Sequence, residues 1–401
     1  SLMTGKYPLS AGFFTNCKRG LPLRLGDDEI CVGQVLKEAG YDTAYIGKWH
    51  LDEPEQNHCE EPKSGARDWD AYTPPGVRRH GFDYWYSYGT YDMHLSPHYW
   101  QDTDEMIEYL SEKRDKSKPF ALYMSWNPPH SVYSEVPEEY LELYDKVKLK
   151  SNVCLRDIHH HTGENAARTE EEMMLTTKQY YAAVSGLDKQ FGRLIDYLKE
   201  NNLYDDTLII LSADHGDMMG SHGLMGKHVW YEESIRIPFV VHMPGNDNKK
   251  CCTCIGSQDM MPTVLGLLNC PIPDTVEGED CSRFIKGEED EERVSFICAS
   301  PGRADFVEKF KKAGKNPAAY GWRGVRTKRY TFVLELGYDV ICKPKRYLYD
   351  ILKDPEQKNL LDLENEENKE IAKKLEAEVI GWMKRQNDSF LDNWLKEADN
   401  E

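Results

Sequence analysis

The chain has 401 residues, with 50 Lys and Arg against 69 Asp and Glu, a formal net charge of −19 and a mean hydropathy of −0.69. That length supports one large α/β domain with a smaller appendage. No apolar run approaches the roughly 20 residues that span a bilayer. The charge excludes a broad nucleic-acid surface, which draws its affinity from clustered Lys and Arg.

In chain order, a helical pattern is predicted from Cys31 to Ala39, ending at Gly40. Tyr41 to Ile46 is strand-like and runs into Gly47-Lys-Trp-His50. Residues 52 to 118 are irregular and rich in aromatics, His and Pro, among them Trp69, Tyr72, Tyr84, Trp85, Tyr91, His94, His98 and Trp100. Such insertions on an α/β scaffold commonly build substrate pockets. Pro119 to Trp126 is again strand-like and runs into Asn127-Pro-Pro-His130. Residues 145 to 172, with His159-His-His161 and Glu170-Glu-Glu172, read as polar loop, the three histidines solvated rather than metal-binding. Thr176 to Asn201 carries Tyr180, Val184, Leu187, Phe191, Leu194 and Leu198 at helical spacing. Leu208 to Leu211 is a short β-branched run ending in Ala213-Asp-His-Gly216, with Ser221-His-Gly-Leu-Met-Gly-Lys227 close behind.

Three strand-like runs thus end on polar, chemically useful residues and alternate with helices. The pattern implies an α/β fold with a large mixed, mostly parallel sheet sandwiched by helices, and in such sheets ligands bind beyond the strand ends. Asp214 and His215 offer one hard oxygen and one nitrogen to a cation, while Lys227 offers positive charge to an anion. An Asp-His pair at a strand end also serves as a helix cap with a satisfied histidine, and a lone Lys is usually solvated surface.

Val276 to Glu292, with its acidic run from Glu288, reads as a boundary. Residues 1–290 are expected to form the catalytic domain. Residues 291–401 are expected to form a C-terminal α+β subdomain: strand-like 294–299, 324–334 and 347–350 in a small antiparallel sheet, and a helix over 365–385. Eleven cysteines make an odd count with no disulfide framework, and Cys251-Cys-Thr-Cys254 lacks the second pair of a zinc site. These features lean towards a cytoplasmic setting, with periplasmic or secreted placement left open because Ser1 is no natural start.

Gly40-Tyr-Asp-Thr-Ala-Tyr-Ile-Gly-Lys-Trp-His50 closely resembles the second signature of the type I, formylglycine-dependent sulfatases of the alkaline phosphatase superfamily. Asn127-Pro-Pro-His130, Ala213-Asp-His-Gly216 and Gly223-Leu-Met-Gly-Lys227 resemble further segments of that family, as do Ile237 to Gly245 and Asp259-Met-Met-Pro-Thr263. Ser1-Leu-Met-Thr-Gly5 resembles the tail of the first signature, so the formylglycine nucleophile and the first strand are expected upstream of Ser1. Cys298-Ala-Ser-Pro-Gly-Arg303 lacks that signature's spacing and is read as a decoy.

The resemblance implies an alkaline-phosphatase-like fold and hydrolysis of a sulfate ester, on a sulfated carbohydrate or a small aryl sulfate, to an alcohol and inorganic sulfate. It assigns the sulfate oxygens to one Ca²⁺ ion, Lys48, His130 and Lys227. His50 would act on the formylglycine, His130 or Lys227 would protonate the leaving group, and Asp214 and His215 would complete the Ca²⁺ shell. His222 and His94 are candidate substrate contacts, His222 equally a structural partner of its turn. Lys18, Arg19, Arg24, Arg67, Arg78 and Arg79 are candidate subsites for further anionic groups or plain solvated surface. A phosphate or phosphonate ester hydrolase of the same superfamily, and a truncated, non-catalytic binding protein, are the alternatives. The sequence is silent on oligomeric state.

Overall fold

A computed structural model describes residues 1–17, 21, 23–52, 73–88, 98–149, 164–165, 169–246, 249–341 and 343–398, with side chains left undescribed at 88, 98–100 and 164–165. Of the candidates named above, Lys18, Arg19, Arg67, Trp69, Tyr72, Tyr91, His94 and His159 to His161 lie outside the described residues.

Eleven strands are described: β1 (Asp42–Lys48), β2 (Tyr84–Tyr88), β3 (Phe120–Ser125), β4 (Glu164–Asn165), β5 (Ile209–Ser212), β6 (Leu224–Met225), β7 (Phe239–His242), β8 (Ser295–Ala299), β9 (Gly321–Arg326), β10 (Tyr330–Gly337) and β11 (Lys345–Asp350). β1 is the middle of a parallel sheet in the order β2-β1-β3. Its Ala44, Tyr45 and Ile46 are buried on both faces, as a parallel strand between helices requires. On one side Tyr45 and Trp49 pack against Val32, Val35 and Leu36 of the helix Val32–Glu38. On the other, Ala44 and Ile46 meet Met106, Tyr109, Leu110 and Leu198 from the segments around His98–Glu108 and Glu170–Glu200. β5 pairs antiparallel with β7, Ile209 opposite His242.

Three sequence expectations need correction. The acidic triplet Glu170 to Glu172 is the first turn of a helix running Glu170–Glu200, not loop. Thr169 Oγ1 accepts from the Glu172 amide at 3.2 Å and Glu172 Oε2 accepts from the Thr169 amide at 2.7 Å. That capping box, with three carboxylates at the positive end of the helix dipole, fixes the start. The stretch 52–118 is not irregular throughout, since it contains β2 and the helix His98–Glu108. Residues 324–334 are not one strand but the two arms of a hairpin, because Thr327 closes a turn on the Tyr330 carbonyl (N···O 2.9 Å).

β8 to β11 form an antiparallel sheet in the order β11-β10-β9-β8. Along β10 the side chains alternate with the two-residue strand period. Phe332, Leu334 and Leu336 face Leu375, Val379 and Trp382 of the helix Glu366–Arg385. Val333 faces Met218, Leu224, Trp230 and Tyr231, on the chain segment that follows β5. Buried Arg323 on β9 pairs with buried Asp388 and donates to the carbonyls of Ala318 (2.7 Å), Trp322 (3.0 Å) and Ala299 (3.2 Å), so no charge is left unmatched.

A cavity of about 2350 Å³ lies between β3, β5 and the helix Glu170–Glu200, lined there by Leu122, Met124, Leu187, Phe191 and Ile210. β3 and β5 are only half-buried because they border it.

His80 is 1% exposed, in the left-handed region (φ 45°), with Nδ1 donating to the Glu29 carbonyl at 3.1 Å. Burial holds its pKa below the ordinary histidine value, against the pull of that carbonyl and of Asp52. In the unfolded chain it titrates near 6.5. Above that pH both states are neutral; below it the unfolded chain takes up the proton first, so stability falls with pH until the folded-state pKa is reached. The melting temperature is expected to drop from pH 7 to about 5.5, and His80→Asn, which tolerates positive φ, should flatten that slope. An unchanged slope assigns the effect to other groups.

Candidate active site

β1 delivers Lys48 at its last position. Gly47 just before it has φ 100°, and a Cβ there would lie 2.2 Å from the Ser125 carbonyl oxygen, so only glycine lets β1 and β3 approach this closely. Lys48 Nζ donates to Asn127 Oδ1 at 2.8 Å, and the Lys48 carbonyl accepts from Tyr45 Oη at 2.6 Å. The extended backbone does not continue to His50, which sits at φ 49° with Nε2 3.2 Å from the Cys17 carbonyl oxygen. β1 itself therefore places Lys48, while His50 owes its placement to the turn after the strand.

β3 delivers Asn127 and, one turn further, His130, whose amide donates to the Asn127 carbonyl at 3.1 Å. His130 Nδ1 lies 3.0 Å from the Ser131 carbonyl, which can only accept, so Nδ1 carries the proton and Nε2 a lone pair. Lys227 Nζ donates to that Nε2 at 2.7 Å.

β5 delivers Asp214 and His215. A Cβ on Gly216 would lie 2.0 Å from the Glu233 carbonyl oxygen, and its amide donates to the Ser234 carbonyl at 2.9 Å, so glycine seats this turn against the next segment. The Asp214 carboxylate is exposed, with Oδ1 accepting from the His215 amide at 2.9 Å. His215 Nδ1 donates to the Gly216 carbonyl at 2.8 Å, and its Nε2 lies 3.4 Å from Asp214 Oδ2. The rings of His215 and His130 are 6.0 Å apart. Burial lowers the His215 pKa; Asp214 opposes this and Lys227 reinforces it. A neutral imidazole with its lone pair on Nε2 beside a carboxylate is the donor set that a divalent cation needs, so Asp214 and His215 fit as two of its ligands. Among the described residues no group of three or more His, Cys, Asp or Glu converges as a metal site.

Lys48, His50, His130, Asp214, His215 and Lys227 all line the one cavity described above. His222 does not: it is buried, stacked on Tyr231 at 3.7 Å between centroids, with Nε2 donating to the Glu356 carbonyl at 3.0 Å. Its face and its Nε2 thus both have protein partners, as the structural reading expects. Arg24 pairs with Asp27 at the surface, Arg78 with buried Asp52, and Arg79 donates to the Thr73 carbonyl and lies over Trp85. These three arginines are held in protein contacts. Cys298 belongs to β8, where burial pushes its thiol pKa up, which suits a packed thiol better than a nucleophile.

The sequence reading passed over three groups. Asn127 holds Lys48, although the Asn-Pro-Pro-His motif had marked its segment. Asp217, next after the Asp-His-Gly turn, accepts from Tyr133 Oη at 2.6 Å and from the amides of Met219 and Gly226 at 3.1 Å each. The carbonyl of His228, one residue beyond Lys227, accepts from Trp322 Nε1 of β9 at 3.0 Å and from Tyr338 Oη, just after β10, at 2.9 Å.

The sulfatase family model matches residues 1–270, and that of the N-sulphoglucosamine sulphohydrolase C-terminal region matches 220–385. The endo-4-O-sulfatase of Bacteroides thetaiotaomicron is 35% identical, over 97% of this chain and 80% of its own length. The ulvan-active sulfatase of Formosa agariphila is 32% identical, over 94% and 70% respectively. A solved structure from Bacteroides thetaiotaomicron, from work on the metabolism of multiple glycosaminoglycans, matches with a TM-score of 0.82 at 32% identity, covering 100% of this chain and 85% of that one. The fold is the alkaline-phosphatase-like α/β architecture with a C-terminal sheet. Matched over well beyond half its length, this chain belongs to the sulfatase family and is a sulfuric ester hydrolase.

Proposed function

We propose that the protein removes sulfate from a sulfated carbohydrate, with water converting the ester to an alcohol and inorganic sulfate. The observation that carries this reading is the contact of Lys227 Nζ with His130 Nε2 at 2.7 Å, in the cavity that Lys48 also lines. A sulfate ester spreads negative charge over its oxygens and builds more on the departing oxygen, so fixed cations and a proton source are what its cleavage needs. Lys48, held by Asn127, and Lys227 supply the first. The Lys227–His130 pair supplies the second, since a proton already shared between two nitrogens can pass to a leaving oxygen beside them. His50, whose Nε2 faces the Cys17 carbonyl, would accept a proton on its other ring nitrogen. A Ca²⁺ ion held in part by Asp214 and His215, and a formylglycine nucleophile, would supply Lewis acidity and the attacking oxygen. The carbohydrate assignment is supported by two relatives at 35% and 32% identity, named as an endo-4-O-sulfatase and an ulvan-active sulfatase. Two lysines, rather than the Asp and His ligands of a second metal, favour sulfate over phosphate.

The full-length protein is expected to release sulfate from defined sulfated saccharides and to cleave an aryl sulfate faster than the matching aryl phosphate. A clear preference for the phosphate would overturn the reading. Lys227→Ala should lower kcat about 10²- to 10³-fold, the loss typical of one transition-state donor, with a melting temperature close to wild type. Near-normal turnover would remove Lys227 from the mechanism. Asp214→Ala should lower bound calcium and thermal stability together, and its melting temperature should no longer respond to chelator, because an ion that binds only the folded chain stabilises it. Wild-type calcium content in that variant would exclude Asp214 as a ligand.

A further inference from the structure

Asp217 takes no part in the chemistry assigned above, yet its half-buried carboxylate joins the two loops that carry the reacting pair. One oxygen, Oδ2, accepts from the hydroxyl of Tyr133, three residues after His130, at 2.6 Å. The other, Oδ1, accepts at 3.1 Å from the amide of Gly226, the residue before Lys227, and at 3.1 Å from the amide of Met219. The same loop closes through the Met218 amide on the Gly226 carbonyl at 2.7 Å. Met218 and Leu224 anchor its interior in the core against Trp322 and Val333. Both carboxylate oxygens therefore face protein donors, which take three of the carboxylate's roughly four lone-pair sites. A carboxylate suits the task because it accepts on both oxygens, from a hydroxyl on one loop and from amides on the other, and bonds to a charged acceptor are the stronger kind.

Resting on the sulfate-ester reading, we infer that Asp217 and Tyr133, which line the same cavity, form a positioning clamp that sets the separation of Lys227 Nζ and His130 Nε2. The clamp acts where geometry matters most, since displacing a reacting group by about 1 Å costs about 100-fold in rate.

In the full-length protein, Asp217→Ala should lower kcat about 100-fold, with a much smaller change in KM. Tyr133→Phe, which keeps the ring and removes one hydrogen bond, should lower kcat about 10-fold. Asp217→Asn, with a single acceptor oxygen, should recover part of the alanine loss. In a Lys227→Ala background the further change Asp217→Ala should alter kcat by less than about 3-fold, because the clamp works through that lysine. A crystal structure of Asp217→Ala should show the two nitrogens beyond hydrogen-bond reach, more than about 3.5 Å apart. A retained contact in that structure overturns the clamp, as do additive kinetic losses in the double variant. Loss of bound calcium with the contact intact would make Asp217 a ligand instead. If the wild-type protein releases no sulfate, the proposed function falls while the nitrogen separation still decides the clamp.

Discussion

The candidate site depends on holding two ammonium groups and several imidazoles in one cavity although the two like charges repel. The formal charge of −19 is dispersed over the whole chain and does little for charges a few ångströms apart. What holds them is backbone that cannot relax. Gly47 and Gly216 each seat a strand end where a Cβ would strike a neighbouring carbonyl. Each side chain then has a fixed partner: Asn127 for Lys48, the Cys17 carbonyl for His50, the Gly216 carbonyl for His215 and the imidazole of His130 for Lys227. Partial burial lowers the pKa of His215 beside Lys227 and so favours its neutral form, which removes one repulsion.

The C-terminal sheet takes part in this from a distance. Trp322 and Tyr338 grip the carbonyl just after Lys227, while Met218 and Leu224, within the loop before it, are buried against the same sheet. Arg326 pairs with Glu232, and Gln357 accepts from the Glu232 amide at 2.7 Å, tying the next turn down as well. One face of the sheet packs on the helix Glu366–Arg385 and the other on the loop that leads to Lys227, so the sheet is the bed on which that loop lies.

How much of this was legible in the sequence differs from element to element. The strand of Tyr41 to Ile46 and its Gly-Lys-Trp-His ending were legible because a buried parallel strand is apolar on both faces and its useful residues follow directly. The first turn of the helix Glu170–Glu200 was missed because three acidic residues look solvated, although Thr169 and Glu172 carry the spacing of a capping box. β2 was hidden in an aromatic stretch without a clean two-residue period. His222 was undecidable, since a histidine in a glycine-rich turn reads alike whether it meets a substrate or, as here, the ring of Tyr231.

The sequence by itself determined which chemical groups exist at the strand ends, two lysines, a carboxylate and imidazoles at motif spacing, and from them the family and reaction class. Local order along the chain is enough for that, because each motif is a strand end and its own turn. Only the tertiary structure decided which groups meet. The contact of Lys227 with His130 spans 97 residues, that of Lys48 with Asn127 spans 79, and that of Tyr133 with Asp217 spans 84. Distances of that kind are set by how sheets and helices pack, and no spacing between neighbours in a sequence encodes them.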